Sequence, residues 1–263
     1  MSRPRTLVLR AAGSNCDRET GRAFELAGAF AELVHVNRLV DGSKKLANYQ
    51  ILAVPGGFTY GDDVAAGKVL AIELVQHLGD ALAEFVGRGG LVIGICNGFQ
   101  VLVKTGLLPG AEYGSGADRA AAATLTFNDS QKFEDRWVTL LPGGRSVWTE
   151  GLFTPIRLPV AHGEGKFVAR TEEILERMEG AGQVAFRYLG ADVAPADGAY
   201  PANPNGSARD IAGVTDSTGR ILGLMPHPER YVHSWQGPSW TREPEKREGD
   251  GLAIFRAAVK SLA

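Results

Sequence analysis

The chain has 263 residues, of which 44% are hydrophobic and 22% are charged, values typical of a folded globular protein rather than a disordered or fibrous one. Lys plus Arg number 28 against 30 for Asp plus Glu, so the net charge of −2 excludes a strong basic field for nucleic acid. No apolar stretch approaches the ~18 residues of a membrane-spanning helix. We therefore expect neither nucleic acid nor a membrane as a partner.

Cysteine content and the first residues favour a reducing compartment. The two cysteines, Cys16 and Cys96, are too few for a disulfide framework. The segment from Ser2 to Arg5 leads directly into a strand-like run and lacks the pattern of a secretory signal peptide. The expected location is the cytoplasm.

Apolar runs alternate with amphipathic segments over residues 1–107. Continuous apolar strands between helices are typical of a parallel sheet that is covered on both faces. We predict an α/β fold with a doubly wound, mostly parallel sheet of the flavodoxin-like kind, and Asn15 or Asp17 as the cap of the first helix. The predicted strands lie at 6–9, 33–36, 51–54 and 91–95, and the predicted helices at 18–29 and 68–86.

The pattern changes after Pro109. A small, polar segment at 114–123 is followed by short alternating stretches over 125–160, which predict a few antiparallel strands added to the sheet edge. The proline-rich segment 191–210 predicts a surface loop. A hairpin is predicted at 211–224 and a closing helix at 252–262. No linker or repeat interrupts the chain, so we predict a single domain over 1–263.

One predicted junction between a strand and a helix carries chemical information. The sequence Gly-Ile-Cys-Asn-Gly occupies 94–98, directly after an apolar strand. A nucleophile on so sharp a turn needs neighbours without side chains, which Gly94 and Gly98 provide. A helix N-terminus also stabilises negative charge on sulfur. Cys96 by itself fits an ordinary buried cysteine, but this context favours a catalytic nucleophile.

His227 is the best candidate for the acid and base that such a nucleophile needs. It lies between two prolines that restrict the backbone, and Glu229 can accept a hydrogen bond from its ring. The order Cys, His, carboxylate follows the logic of a catalytic triad. The same segment also fits an ordinary turn. His162 is the main rival, and we interpret it as a supporting or partner-facing group.

Two backbone amides are expected to hold the oxyanion. The amide of Asn97 follows the nucleophile directly, and Gly57 ends a predicted strand where the backbone can approach a ligand closely. A glycine after a strand is often only a turn, so this signal is weak without the others.

These motifs together resemble the class I glutamine amidotransferases, which use a triad. More narrowly, they resemble the glutaminase part of phosphoribosylformylglycinamidine synthase, an enzyme of purine biosynthesis. Three catalytic segments carry most of the resemblance, at 55–63, 93–100 and 225–230. Further matches lie at 13–19, 128–133, 161–165 and 200–207.

The resemblance implies hydrolysis of glutamine through a glutamyl thioester on Cys96, with His227 as proton carrier and Glu229 as its orienting group. It implies the oxyanion amides of Gly57 and Asn97 and no metal. Cys16 lies in a family motif outside the triad, so we interpret it as a packing or turn residue. The residues expected to border the glutamine are Phe58, Gln100, Asn128, Ser130 and Phe133.

By the same resemblance, the ammonia would pass to a large synthetase subunit that converts formylglycinamide ribonucleotide into its amidine. This chain has no phosphate loop, because Gly67 and Lys68 are not followed by Ser or Thr. ATP and Mg²⁺ are therefore expected in the partner, with a small accessory subunit as a further candidate. The length of the chain and the segments 191–210 and 232–250 suggest the glutaminase domain of the fused enzyme rather than the shorter free-standing subunits.

Two other functions are compatible with parts of the pattern. A cysteine hydrolase of the intracellular-peptidase type would share the Cys96 turn but has no reason to contain Pro-His-Pro-Glu at 226–229. A binding module that keeps the fold without the activity would not need an intact triad. Both are less favoured than the glutaminase.

Overall fold

The computed structural model describes residues 3–113, 122–243, 245 and 247–262. Most of the small, polar segment singled out at 114–123 therefore lies outside the described residues. The helices are α1 (Asp17–Leu26), α2 (Val36–Val40), α3 (Lys68–Gly87), α4 (Asn97–Lys104), α5 (Glu172–Gly180) and α6 (Leu252–Lys260). The strands are β1 (Arg5–Arg10), β2 (Phe30–His35), β3 (Ile51–Val54), β4 (Leu91–Ile95), β5 (Ala123–Thr126), β6 (Glu134–Pro142), β7 (Ile156–His162), β8 (Lys166–Ala169), β9 (Val184–Leu189), β10 (Ile211–Thr215) and β11 (Ile221–Leu224).

The main sheet has nine strands in the order β2-β1-β3-β4-β11-β10-β9-β6-β7. The pairings from β2 to β11 are parallel, as predicted for a doubly wound fold, and every residue of β3, β4 and β11 is buried. The pairings from β11 to β7 are antiparallel. The α/β fold is confirmed, and its antiparallel extension is as wide as its parallel part.

The predicted hairpin of β10 and β11 and the predicted antiparallel strands β6 and β7 are confirmed. One strand of the 125–160 region lies elsewhere. Within the described residues, β5 pairs with β8 alone, in a separate two-stranded sheet, so its assignment to the sheet edge was wrong. The reason is local, because Asn128 and the turn after it separate β5 from β6.

Two further expectations need correction. Neither Asn15 nor Asp17 caps α1; the N-cap residue is Cys16, and its side chain makes no capping hydrogen bond. The segment 191–210 is only partly a surface loop, because four polar residues of its second half are buried, namely Asn203, Asn205, Ser207 and Asp210. Asn203 donates to the Ser207 carbonyl at 2.9 Å, and the Ser207 hydroxyl donates to Asn205 at 2.7 Å.

None of the helices within the described ranges combines the length and the apolar content needed to cross a membrane.

Candidate active site

Cys96 lies at the junction of β4 and α4 in a strained backbone conformation, with φ 51° and ψ −106°. Its own amide donates to the Leu224 carbonyl at 2.8 Å, which continues the hydrogen bonding between β4 and β11 up to Cys96. The turn requires both flanking glycines. A Cβ on Gly98 would lie 1.9 Å from the Val54 carbonyl oxygen, and one on Gly94 would lie 2.5 Å from the Gly98 carbonyl oxygen.

The register of the sheet brings His227 to Cys96. Leu224 pairs with Ile95 in the parallel ladder, so β4 and β11 end at the same sheet edge, where loops of both strands meet. The His227 amide donates to the Pro159 carbonyl at 2.8 Å, which fixes the segment against β7. The Cys96 sulfur lies 3.7 Å from the Ala161 carbonyl oxygen on the same strand.

Glu229 orients the His227 ring. The ring Nδ1 lies 2.6 Å from the Glu229 Oε1, and both side chains are almost completely buried. Nδ1 therefore carries the proton that Glu229 accepts. The ring Nε2 is buried and has no hydrogen-bond partner among the described residues, so it is free to exchange a proton with a neighbouring group.

The electrostatics of the site favour the charged form of His227. Burial alone lowers the pKa of a histidine. Here the negative charges of Glu229 and Cys96 and the contacts with the sulfurs of Cys16 and Cys96 outweigh burial, so the pKa of His227 stands well above its ordinary value. The site can thus hold an imidazolium beside the Cys96 sulfur.

The two backbone amides predicted for the oxyanion lie on segments that are tied together. Gly57 has φ 153°, and a Cβ there would lie 2.6 Å from the Gly13 carbonyl oxygen. It faces Ser14 as the non-hydrogen-bonded pair of an antiparallel bridge, which leaves its N–H outside the bridge. The Asn97 side chain accepts from the Thr59 hydroxyl at 2.7 Å and so joins the loop after β3 to the start of α4.

Gln100, predicted to hold substrate, uses its side-chain amide within the protein. Its Nε2 donates to the Glu164 carbonyl at 2.6 Å, and its Oε1 accepts from the Asn97 side chain at 2.9 Å. The side chain thus connects α4 to the loop after β7, and its geometry is that of a support for the pocket wall.

The side chain of Asn128 likewise makes its hydrogen bonds within the protein. Its Nδ2 donates to the carbonyls of Lys132 and His162, and its Oδ1 accepts from the Gly165 amide at 2.9 Å and lies 3.2 Å from the His162 Nδ1. The Ser130 hydroxyl donates to Glu134 at 2.6 Å. These two predicted pocket residues build the antiparallel side of the site.

Phe58 and Phe133 are the exposed members of the predicted pocket. Their ring centroids are 6.4 Å apart, and 47% and 53% of their surfaces are exposed. They connect the loop after β3 with the start of β6 and form an apolar rim.

His162 lacks the features of the catalytic base. Its Nδ1 faces the Asn128 amide oxygen instead of a carboxylate. Burial, with the charge of His227 as a smaller cause, lowers its pKa to about 3, so the ring is neutral. Its position at the end of β7 is that of a supporting group.

Cys16 and Arg230 also lie at the site, although neither residue was predicted to take part in it. The Cys16 sulfur lies 4.0 Å from the His227 Nδ1 and accepts a hydrogen bond from the Arg230 Nη2 at 3.1 Å. Cys16 is buried and lies at the turn before α1, as interpreted from the sequence, and its sulfur in addition contacts two groups of the site. The available signal was its position after β1, because β1 and β3 end at the same edge as β4.

Ligand atoms of Cys16, His227 and Glu229 lie within 4.8 Å of one another, as a metal ion would require. The Arg230 guanidinium lies beside the same sulfur, and its Nε is 4.0 Å from the Glu229 Oε1. A positive group thus already neutralises this point, and a second cation would be repelled.

Comparison with known proteins agrees with this site. Residues 3–261 match the family model of the CobB/CobQ-like glutamine amidotransferase domain. Phosphoribosylformylglycinamidine synthase subunit PurQ of Dehalococcoides mccartyi is 49% identical, with 99% of this chain and 98% of the relative covered. The corresponding subunit of Treponema denticola is 46% identical, with 98% of both covered. In the structure of PurLQS from Thermotoga maritima, a chain that is 32% identical superposes with a TM-score of 0.75 and full coverage of both chains.

The fold, the Cys96 turn and the family match define a glutamine amidotransferase. The similarity to relatives over the full length of the chain identifies a narrower family within this class. The chain belongs to the family of the phosphoribosylformylglycinamidine synthase subunit PurQ. Subunits of this family match nearly the whole chain, so the expectation that its length and its segments 191–210 and 232–250 indicate the fused enzyme was wrong.

Proposed function

We propose that this chain is the glutaminase component of phosphoribosylformylglycinamidine synthase and hydrolyses L-glutamine to glutamate and ammonia. One observation carries the proposal: the strained Cys96 and the His227–Glu229 pair lie at the ends of two adjacent parallel strands. We treat the chain as one glutamine amidotransferase domain, and the main sheet, which runs from β1 to β11, supports this.

In the first half-reaction, the Cys96 thiol gives its proton to the His227 Nε2, and the sulfur attacks the side-chain carbonyl carbon of glutamine. The carbonyl oxygen gains negative charge, which the amides of Gly57 and Asn97 stabilise. His227 then donates the proton on Nε2 to the departing nitrogen, so the carbon–nitrogen bond breaks, ammonia leaves and a glutamyl thioester remains.

In the second half-reaction, neutral His227 accepts a proton from water through Nε2. The resulting hydroxide attacks the thioester carbon and the carbon–sulfur bond breaks. Glutamate then leaves, and the sulfur remains on Cys96 for the next cycle. Glu229 holds the ring in one orientation and stabilises its charged form in both steps.

Phe58 and Phe133 border the glutamine entrance in this proposal, while Gln100, Asn128 and Ser130 support the pocket wall. The ammonia passes to the large synthetase subunit, which forms the amidine of formylglycinamide ribonucleotide. ATP and Mg²⁺ belong to that partner, and a small accessory subunit completes the complex. The relatives named as synthase subunits and the structure of PurLQS support these partners. The complex operates in the cytoplasm.

Substitution of Cys96 by Ala tests the proposal in the assembled complex. We expect loss of glutamine-dependent synthesis by at least about a thousandfold, because the nucleophile is removed. Synthesis from ammonium chloride should be retained, because that reaction bypasses this site. A Cys96→Ala complex that still uses glutamine at the wild-type rate would disprove the assignment.

A further inference from the structure

Two neighbouring side chains, His227 and Arg230, can compete for hydrogen bonds to the Glu229 carboxylate. Glu229 uses Oε1 to accept from His227, while its Oε2 is buried and has no hydrogen-bond partner among the described residues. The Arg230 Nε lies only 4.0 Å from Oε1. A guanidinium normally closes on so near a carboxylate with two hydrogen bonds, and a charge-assisted pair of this kind is stronger than most alternatives.

The Cys16 sulfur accounts for the open geometry. It accepts a hydrogen bond from the Arg230 Nη2 at 3.1 Å and so directs one edge of the guanidinium away from Glu229. The sulfur also lies 4.0 Å from the His227 Nδ1. The Cys16 sulfur thus lies beside both His227 and Arg230, the two groups that can donate a hydrogen bond to Glu229.

The backbone around Cys16 fixes this sulfur firmly. Its amide donates to the Gly56 carbonyl at 3.0 Å, and its carbonyl accepts from the Thr20 amide and hydroxyl. Gly56 also leaves the space that the groups share, because a Cβ there would lie 2.8 Å from the His227 ring. Cys16 is almost completely buried, whereas 35% of the Arg230 side chain is exposed. The arginine is therefore the mobile member of the pair and the sulfur the fixed one.

We propose that Cys16 is a positioning residue for glutamine hydrolysis: its sulfur holds Arg230 off Glu229, so that Glu229 remains the hydrogen-bond acceptor of His227. This inference rests on the proposed triad and adds to it a residue that positions Glu229 through Arg230. Without the sulfur, the guanidinium closes on Glu229 and draws the carboxylate from Nδ1. His227 then loses the orientation that the proton transfers need, while the glutamine pocket is unchanged.

The test compares Cys16→Ala, Cys16→Ser, Arg230→Gln and the double variant Cys16→Ala/Arg230→Gln in the assembled complex with glutamine as nitrogen donor. We expect Cys16→Ala to lower kcat at least tenfold, with KM within twofold of the wild type. Cys16→Ser keeps an acceptor for Arg230 and should recover most of this loss. The double variant should be more active than Cys16→Ala, because the competing guanidinium is gone.

Recovery in the double variant separates positioning from packing, because a second substitution cannot repair a simple packing defect. Arg22→Gln on α1 is the matched control for charge, since that side chain is largely exposed and pairs with Glu25 on the same helix. Co-elution of each variant with the synthetase subunit in size-exclusion chromatography checks that the complex assembles.

A Cys16→Ala complex with wild-type kcat would overturn the inference. A double variant no more active than Cys16→Ala, or a rise in KM at unchanged kcat, would overturn it as well. These failures leave the proposed function intact. Glutamine use that survives Cys96→Ala would instead refute the proposed function itself.

Discussion

The parallel and antiparallel parts of the main sheet build the two sides of the active site by different means. On the parallel side, the backbone itself makes the site: glycines at 56, 57, 94 and 98 allow chain segments to approach within van der Waals contact. On the antiparallel side, buried polar side chains such as Asn128 and Asn205 hold loops in place through several hydrogen bonds each. The shape of the parallel side therefore depends on glycines, which have no side chain. The shape of the antiparallel side depends on buried side chains that each make several hydrogen bonds.

His227 and Glu229 lie where the two sides meet, because β11 is parallel to β4 and antiparallel to β10. Among substitutions that leave Cys96 in place, Glu229→Gln should have the largest effect on activity. The amide keeps the size of the side chain but removes the charge that stabilises imidazolium, so we expect kcat for glutamine to fall about 10²–10⁴-fold. Steady-state kinetics of the complex measure this, with ammonia-dependent synthesis as the control.

The same variant has a predicted signature in stability. Because the folded-state pKa of His227 is raised above the ordinary ~6.5, its contribution is complete below about pH 6.5 and is lost as the pH rises through the raised value. The difference in unfolding free energy between wild type and Glu229→Gln should therefore be largest near pH 6 and smaller at alkaline pH. Denaturant titrations that show the opposite trend would contradict this explanation.

Gly98→Ala probes the parallel side. The new Cβ would meet the Val54 carbonyl oxygen at 1.9 Å, and neither backbone segment can move without breaking β3 or α4. We expect a loss of more than about 3 kcal/mol in the unfolding free energy, above the usual cost of overpacking. Gly79→Ala on α3 is the matched control, because nothing lies within 4 Å of its Cβ and alanine should add about 0.5–1 kcal/mol. Equal stability of the two variants would show that the contact is not restrictive.

Asn128→Ala probes the antiparallel side. It leaves the buried carbonyl of His162 and the amide of Gly165 without their partner, which should cost about 2–4 kcal/mol of unfolding free energy. Asn37→Ala, an exposed asparagine on α2, provides the comparison. Thermal unfolding of both variants gives the measurement, and an Asn128→Ala protein as stable as Asn37→Ala would argue against a polar framework on this side.

Phe133→Ala should have the smallest effect. The ring is half exposed and faces Phe58 across the rim, a contact worth about 0.5–1.5 kcal/mol. We expect KM for glutamine to rise about two- to tenfold with kcat nearly unchanged. A fall in kcat at constant KM would place Phe133 in the chemical step and not at the rim.

Most of the parallel side could be predicted from sequence, and physical reasons explain why. Continuous apolar strands mark β3 and β4, and the two glycines around Cys96 mark a turn that other residues cannot adopt. The proposed triad was inferred from three sequence motifs, and only the strand order shows that β4 and β11 are neighbours.

The antiparallel side was harder to predict. Asn203, Asn205 and Ser207 have the composition of a surface loop, and nothing in a local pattern tells that their hydrogen bonds are made in the interior. The same limit applies to Cys16 and Arg230, which are 214 residues apart in the sequence. Such pairs depend on the assembled sheet, so the position of Cys16 after β1 indicated its edge of the sheet but not its contacts.

The backbone of Cys96 places catalytic need and folding preference in opposition. A φ of 51° with ψ −106° costs a residue with a side chain about 1–3 kcal/mol, whereas glycine adopts it freely. Cys96→Gly should relieve that cost while abolishing the reaction. If stability alone mattered, glycine would be the better residue at position 96. A cysteine there therefore represents a trade-off between stability and activity at a single residue.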